Sequence, residues 1–107
     1  MTMFDDRERA EEAKFAHDQE TVFRVQARRN KLLGQWAAEQ MGLDAAETES
    51  YARSVVQAEF EEAGDEDVVR KLLGDLVSAG VDIDDAAIRR ALEVKSVEAR
   101  RQLMGEV

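Results

Sequence analysis

The sequence predicts an all-α fold, an antiparallel four-helix bundle with a mobile helical segment at its N-terminus. Proline is absent from the 107 residues, and apolar residues recur at the helical period instead of alternating. Glycine follows three amphipathic runs, at Gly42, Gly64 and Gly80, and an aspartate able to cap the next helix comes within a few residues of each. A chain of this length can bury one modest core. We therefore expect one bundle over residues 19–107 and a separate mobile segment over residues 1–18.

The first predicted helix extends from Asp5 to about Met41. At about 1.5 Å per residue it would be about 55 Å long, so its first half should overhang the bundle or fray. Gly34 lies inside it, where glycine costs about 1 kcal/mol relative to alanine. Close helix packing or a bend would account for this glycine. The apolar face of the helix is expected to comprise Val22, Val25, Leu32, Leu33 and Trp36.

The overhanging half has little with which to join a core. Residues 1–20 carry seven acidic and three basic side chains, and their two phenylalanines, Phe4 and Phe15, lie nearly on one line of the helix. A stripe this narrow does not offset the entropy cost of ordering the chain. We expect the segment to be marginally stable alone and to order on contact with a partner, as a recognition helix does.

The second predicted helix begins at Asp44, with Glu47 three residues later in the spacing of a capping box. The third begins at Asp65. The fourth begins at Asp84, and Ile83 and Ile88 stand on either side of this cap at the spacing of a hydrophobic staple. The predicted apolar faces are Tyr51, Ala52, Val55, Val56 and Phe60 in the second helix, Val68, Val69, Leu72, Leu73, Leu76 and Val77 in the third, and Ile88, Ala91, Leu92, Ala99 and Leu103 in the fourth.

Charge is distributed unevenly along the chain. The net charge of −9 repels nucleic acid, so a protein that binds phosphate backbones is not expected. Residues 44–67 hold nine acids and one base, whereas residues 21–38 hold four bases and no acid. The candidate site for the phosphates and ring of ADP or ATP therefore comprises Arg24, Arg28, Arg29, Lys31 and Trp36. Alternatively, these bases pair with the acidic second helix and the tryptophan packs in the core.

Other functional classes are disfavoured. The sequence has no cysteine, and its start lacks the pattern of a secretory signal, so a cytoplasmic protein without thiol chemistry is expected. No apolar run approaches the roughly 20 residues that span a bilayer, so direct membrane insertion is not expected.

His17 is the only histidine, which disfavours a metal site and leaves this side chain either solvated or in contact with a partner. GDEDVVRK lacks the spacing of a P-loop, and no serine or threonine has a base beside it in sequence, so we expect no enzymatic activity.

Four stretches of the sequence resemble one known family. They are FDDRERAEEAKFAHDQE, ARRNKLLGQWAAEQMGL, FEEAGDEDVVRKL and IRRALEVKSVEARRQ, in this order along essentially the whole chain. The chain is thereby similar to the zeta subunit family, inhibitors of the F1Fo-ATP synthase of alphaproteobacteria. The resemblance is specific because the FAHD and RRNKLLGxWAA blocks are unusual and occur together.

The resemblance implies a mechanism and its partners. In this family a mobile N-terminal segment enters the catalytic interface between the alpha and beta subunits beside the rotating gamma subunit. There it folds as a helix and blocks rotation in the direction of ATP hydrolysis, as the mitochondrial inhibitor protein does. The resemblance also implies a cytoplasmic location peripheral to the inner membrane through F1Fo, and ADP or ATP as a regulatory ligand of the bundle, with no cofactor required. Carried over onto this chain, the inhibitory segment includes Phe4, Arg7, Glu8, Phe15, Ala16 and His17.

Two rival interpretations belong to other classes. One is a helical adaptor that senses adenine nucleotide through its bundle and regulates a different protein through its N-terminus. The other is a helical module that binds nucleic acid. Co-purification with F1 subunits, with other proteins or with salt-sensitive nucleic acid would separate the three.

Overall fold

The computed structural model describes the backbone of residues 3–61 and 65–105 and the side chains of residues 19–58 and 65–104. Within these residues the chain forms four helices and no strand: α1 (Met3–Met41), α2 (Ala45–Glu61), α3 (Asp65–Ser78) and α4 (Asp85–Gly105). The all-α four-helix prediction is confirmed. The predicted first helix is one continuous element of 39 residues.

Helix α1 is the central element of the bundle. It packs against each of the other three helices, whereas α2 and α4 do not approach each other closely within the described residues. The core lies between α1 and the helices around it, and each helix contributes to it. Its buried members are Leu33, Ala37, Val55, Val68, Val69, Leu72, Leu76 and Ile88, with Trp36, Tyr51, Ile83 and Leu92 among the half-buried residues packed against them.

The predicted helix starts are confirmed by their hydrogen bonds. The backbone N–H of Glu47 donates to Asp44 Oδ1 at 2.8 Å, and the Asp44 N–H donates to Glu47 Oε1 at 3.2 Å, so both bonds of the capping box are formed. At the start of α4, the Ala87 N–H donates to Asp84 Oδ1 at 2.9 Å. Each side chain satisfies a donor that the first helical turn leaves without a backbone partner.

Two helix ends close through glycine in the left-handed region. Gly42 has a φ of 73° and Gly80 a φ of 82°. After α1, the Leu43 N–H reaches back to the Ala38 carbonyl at 3.0 Å, and after α3 the Val81 N–H reaches the Leu76 carbonyl at 2.9 Å. This pattern satisfies the last carbonyls of a helix and reverses the chain, so two of the predicted glycine breaks are confirmed with their mechanism.

Gly34 is explained by close packing of α1 on α2. A Cβ atom added at this position would lie 2.7 Å from Ala52 Cα and 3.2 Å from Val55 Cγ2. The first contact is with backbone, which cannot rotate away. Of the two explanations that the sequence leaves open for this glycine, the structure therefore supports close helix packing.

Two residues predicted to lie on apolar faces are exposed. Val22 of α1 and Val77 of α3 are both more than half exposed. Val22 lies on the part of α1 where α4 comes to its end, and Val77 lies in the last turn of α3. Each retains the helical spacing of its face, but α4 covers little of Val22 because it ends there. The side chain of Phe60, also predicted to be apolar core, lies outside the described residues.

Candidate functional site

The N-terminal part of α1 extends well beyond the end of α4, the helix that packs beside it. Arg28 Nη1 donates to Gln102 Oε1 at 2.8 Å, and this bond aligns α1 with the C-terminal end of α4. Helix α4 ends at Gly105, three residues after Gln102, whereas α1 already begins at Met3. The predicted overhang is therefore present as continuous helix.

The residues assigned to the inhibitory segment all lie on this overhang. Their backbone belongs to α1, but their side chains lie outside the described residues. Their contacts and their mobility therefore stay predictions. The residues concerned are Phe4, Arg7, Glu8, Phe15, Ala16 and His17.

The basic stretch of α1 does not converge on one place. Arg24 forms an exposed ion pair of 3.0 Å with Glu20, one turn earlier. Arg28 reaches α4, as described above. Lys31 is exposed on the side that faces α2. These three bases, unlike Arg29, have side chains that reach the surface. Each has different surroundings: Arg24 pairs within α1, Arg28 contacts α4, and Lys31 faces α2.

Arg29 and Trp36 lie on the opposite side of α1. Arg29 is buried, its Nη2 lies 3.0 Å from Asp65 Oδ1, and its Nε donates to the side chain of Asn30 at 3.1 Å. Trp36 is half-buried and packs against the core, as the core interpretation of this residue expects. The alternative interpretation of the bases, ion pairing across helices, is met by Arg29, although its acid lies at the start of α3 and not on α2.

A pocket of about 310 Å³ lies between α1 and α4 where α1 leaves the bundle. Its walls are mostly apolar and two arginines stand among them. Chemically, it suits a small ligand that carries both an apolar part and negative charge. Its lining comprises Thr21, Val22, Val25, Gln26, Arg29, Ser96, Arg100 and Met104.

A second pocket, of about 560 Å³, opens between α1 and α2. Lys31 and Arg53 line it together with Glu49, which already accepts an ion pair from Arg53 at 2.8 Å. Each pocket has one base already paired with an acid, Arg29 with Asp65 and Arg53 with Glu49. An acid lines only the second pocket, so the first pocket is the better candidate for an anion.

Sequence reasoning missed the contribution of α4 to the first pocket. Arg100 belongs to a visible pair of basic residues, but its meeting with Arg29 depends on how α4 is aligned along α1. That alignment depends on the turn between α3 and α4 and on the Arg28 to Gln102 bond. The signal in the sequence is the IRRALEVKSVEARRQ block, whose basic residues are not among those predicted to bind phosphate.

Two ionisable clusters outside these pockets join helices. Tyr51 of α2 donates to Asp75 of α3 at 2.7 Å, and Lys71 pairs with the same carboxylate at 3.1 Å. Burial raises the pKa of Tyr51 well above its usual range, and the hydrogen bond to Asp75 and its charge raise that pKa further. At the starts of α3 and α4, Arg89 donates two hydrogen bonds to Glu66, which lower the pKa of this carboxyl. Both clusters serve the fold, since neither opens into a pocket described above.

Within the residues that the structure describes, no helix combines the length and apolarity needed to cross a membrane.

The sequence matches the family model described as ATPase inhibitor subunit zeta over residues 1–102. None of the curated proteins matches the chain. Among solved structures, one determined by NMR in solution is similar at 47% sequence identity and a TM-score of 0.70, covering 79% of this chain and 96% of the other.

Proposed function

Because the chain belongs to the ATPase inhibitor subunit zeta family, we propose that it stops ATP hydrolysis by the F1Fo-ATP synthase by inserting the N-terminal part of α1 at the catalytic interface. The family is regulatory and implies an ATP synthase as partner. In the proposed complex the segment lies between the alpha and beta subunits, beside gamma. The protein would then act in the cytoplasm, at the inner membrane only through F1Fo.

The overhang of α1 is the observation that supports this proposal most directly. Residues from Met3 to about Glu20 extend past the end of α4 as helix, a length of about 27 Å at 1.5 Å per residue. A segment of this kind can enter a cleft while the bundle stays outside it. Its two phenylalanines would provide the anchors that a helix-binding groove buries.

The proposed action is steric. An inserted helix binds one conformation of the rotating complex more tightly than the others, and rotation must displace it before hydrolysis can continue. No group of the inhibitor takes part in bond breaking. The acids and bases of the segment would set its orientation and its rate of association.

Deletion of residues 1–18 tests the mechanism. We expect the full chain to suppress steady-state ATP hydrolysis by F1 that lacks its own inhibitor, and the truncated chain to have no effect. Circular dichroism should show that the truncated bundle retains its helices, because its core residues all lie after position 18. If the truncated bundle inhibits as strongly as the full chain, the insertion mechanism is wrong.

Nucleotide sensing is a second candidate function. The observation that favours it is the pocket between α1 and α4, whose lining includes Arg29 and Arg100 beside apolar Val22, Val25 and Met104. Arginine suits phosphate and the apolar wall suits an adenine ring. In this view ADP or ATP would bind beside the base of the overhang and regulate either the ATP synthase or, as an adaptor, another protein.

Titration with ADP or ATP, followed by backbone amide shifts, tests this second function. We expect amide shifts over residues 21–29 and 96–104. Arg100→Gln should weaken these shifts, whereas Arg53→Gln should not, because Arg53 belongs to α2 and lies away from this pocket. Shifts confined to other residues would reject this pocket.

Purification of the tagged chain identifies the partner. Co-purification of F1 subunits would support the inhibitor, whereas co-purification of other proteins would support the adaptor.

A further inference from the structure

Three of the large apolar side chains left exposed in the described part of the chain lie on α4. Val94, Val97 and Met104 are 61%, 53% and 58% exposed. With Arg90 and Arg101 they follow spacings of four, three, four and three residues. Positions spaced in this way fall on one line of a helix and are typical of a seam between two helices. We call these five residues the outer stripe.

The outer stripe carries positive charge without acidic partners. Arg90 and Arg101 are exposed and make no ion pair with the residues that the structure describes, and the same holds for Arg100 beside them. The two other bases of α4 are both paired with acids. Glu93 lies on the same side of α4, so three arginines face one carboxylate. This excess of positive charge stands out on a chain whose net charge is −9.

The outer stripe ends beside the base of the overhang. Met104, its last residue, lines the same pocket as Val22 of α1. Beyond Val22 toward the N-terminus begins the segment that we assign to insertion. A partner that binds this segment is therefore also adjacent to the C-terminal end of the outer stripe.

We propose that the outer stripe is a second docking surface for the ATP synthase and that it binds an amphipathic helix with acidic residues flanking its apolar face. This inference rests on the proposed function, because it takes the partner of the segment as the partner of the stripe. The heptad-like spacing favours a helix as the occupant. The unpaired arginines favour carboxylates flanking its apolar line, which would neutralise them as Val94 and Val97 become buried.

Other occupants fit the charges less well. Two copies of the outer stripe facing each other would bring four arginines into one interface, which costs free energy. An anionic bilayer would attract the stripe but repel the rest of a chain with a net charge of −9. An acidic helix on a protein satisfies both the spacing and the charge.

Charge reversal of the stripe in the full chain tests the proposal. The variant carries Arg90→Glu with Arg101→Glu, and the matched control carries Arg53→Glu with Arg70→Glu, which reverses two exposed arginines on α2 and α3. Inhibition of F1 that lacks its own inhibitor is measured against inhibitor concentration at low and high salt. We expect the stripe variant to need about tenfold more protein for half-maximal inhibition at low salt. Its maximal inhibition should match the wild type, because the inserting segment is intact, and the control should behave as the wild type.

The outcomes separate the two proposals. If the wild type inhibits and the stripe variant inhibits at the same concentrations, the second docking surface is rejected and the insertion mechanism stands. If the wild type does not inhibit, both proposals are rejected.

A variant with Val94→Ser and Val97→Ser tests the apolar part of the stripe and should weaken inhibition at both salt concentrations. A wild-type dimer that the charge reversal dissociates, or wild-type binding to vesicles of anionic lipid that it abolishes, would assign the stripe to another occupant and overturn the proposal.

Discussion

Arg29 of α1 and Asp65 at the start of α3 are joined by an ion pair of 3.0 Å between Nη2 and Oδ1. The two partners lie in different environments, because the Arg29 side chain is 7% exposed and that of Asp65 is 51% exposed. The guanidinium also donates to the side chain of Asn30, which is itself buried. A positive charge is thus held inside the bundle by partners that link the central helix to the first turn of α3.

We expect Arg29→Ala to lower the free energy of unfolding by about 2–4 kcal/mol. The substitution removes the buried side chain together with a hydrogen bond to a buried amide, and it leaves a cavity. Arg24→Ala is the matched control on the same helix, since it removes only an exposed pair with Glu20 and should cost less than about 0.5 kcal/mol. Urea unfolding followed by circular dichroism measures both. Equal effects of the two substitutions would contradict the structural role of Arg29.

Gly34→Ala should destabilise the protein although alanine favours helices. The added methyl group meets the backbone at Ala52, and the overpacking should outweigh the gain in helix propensity, for a net loss of about 1–2 kcal/mol. Gly74→Ala is the control within α3, where a Cβ meets nothing within 4 Å. We expect it to stabilise by about 0.5–1 kcal/mol. Thermal or urea unfolding of the two variants should therefore give opposite signs, and a stabilising effect of Gly34→Ala would show that α1 and α2 can separate without cost.

Tyr51, the only tyrosine, should resist ionisation in alkaline solution. Its pKa is raised in the folded state, so its contribution to stability is fully present below its ordinary pKa of about 10 and is lost as the pH rises toward the folded value. We expect little phenolate absorbance at about pH 11 while circular dichroism still reports the fold. Asp75→Asn should lower the pKa of Tyr51 but leave it above the ordinary value, because burial is the larger cause. An ordinary pKa in the folded wild type would contradict the hydrogen bond to Asp75 and the partial burial of Tyr51.

Phe4→Ala combined with Phe15→Ala should weaken inhibition of ATP hydrolysis by about tenfold or more. These side chains are the two large aromatic anchors that the N-terminal segment offers to a groove. Glu11→Gln, in the same segment, should have little effect. Steady-state ATPase assays with inhibitor-free F1 measure all three proteins, and unchanged circular dichroism excludes unfolding of the bundle. Full potency of the double variant would remove these residues from the proposed interface.

Amide hydrogen exchange should divide the free protein along α1. We expect rapid exchange over residues 5–15, because backbone hydrogen bonds there lie outside the bundle, and slow exchange near buried Leu33. The comparison is internal, since both parts belong to one helix. Strong protection over residues 5–15 in the free protein would show that the segment is ordered before it meets a partner.

Local signals in the sequence were enough to predict the helices. Asp44, Glu47 and Asp84 form the predicted capping bonds, and Gly42 adopts the left-handed conformation expected after a helix. Each of these interactions joins residues only a few positions apart. They therefore depend little on how the helices pack together.

The candidate site was less predictable because it depends on contacts between distant parts of the chain. The four bases between residues 24 and 31 of α1 are close in sequence, but the helix turns them toward different surroundings: Arg29 meets Asp65, and Arg28 meets Gln102. The exposure of Val22 follows from where α4 ends, which the spacing of apolar residues on α1 does not contain.

The continuity of α1 has a mechanical consequence. Between Met3 and Leu33 this helix contains neither glycine nor proline, so it has no residue at which bending would concentrate. It therefore resembles a beam clamped at one end, with the clamp formed by the contact at Gly34 and Ala52 and by the bond from Arg28 to Gln102. A sideways load on the tip would reach this clamp as torque. The tight packing at Gly34, far from the tip, would then bear part of any force that a rotor exerts on the inserted end.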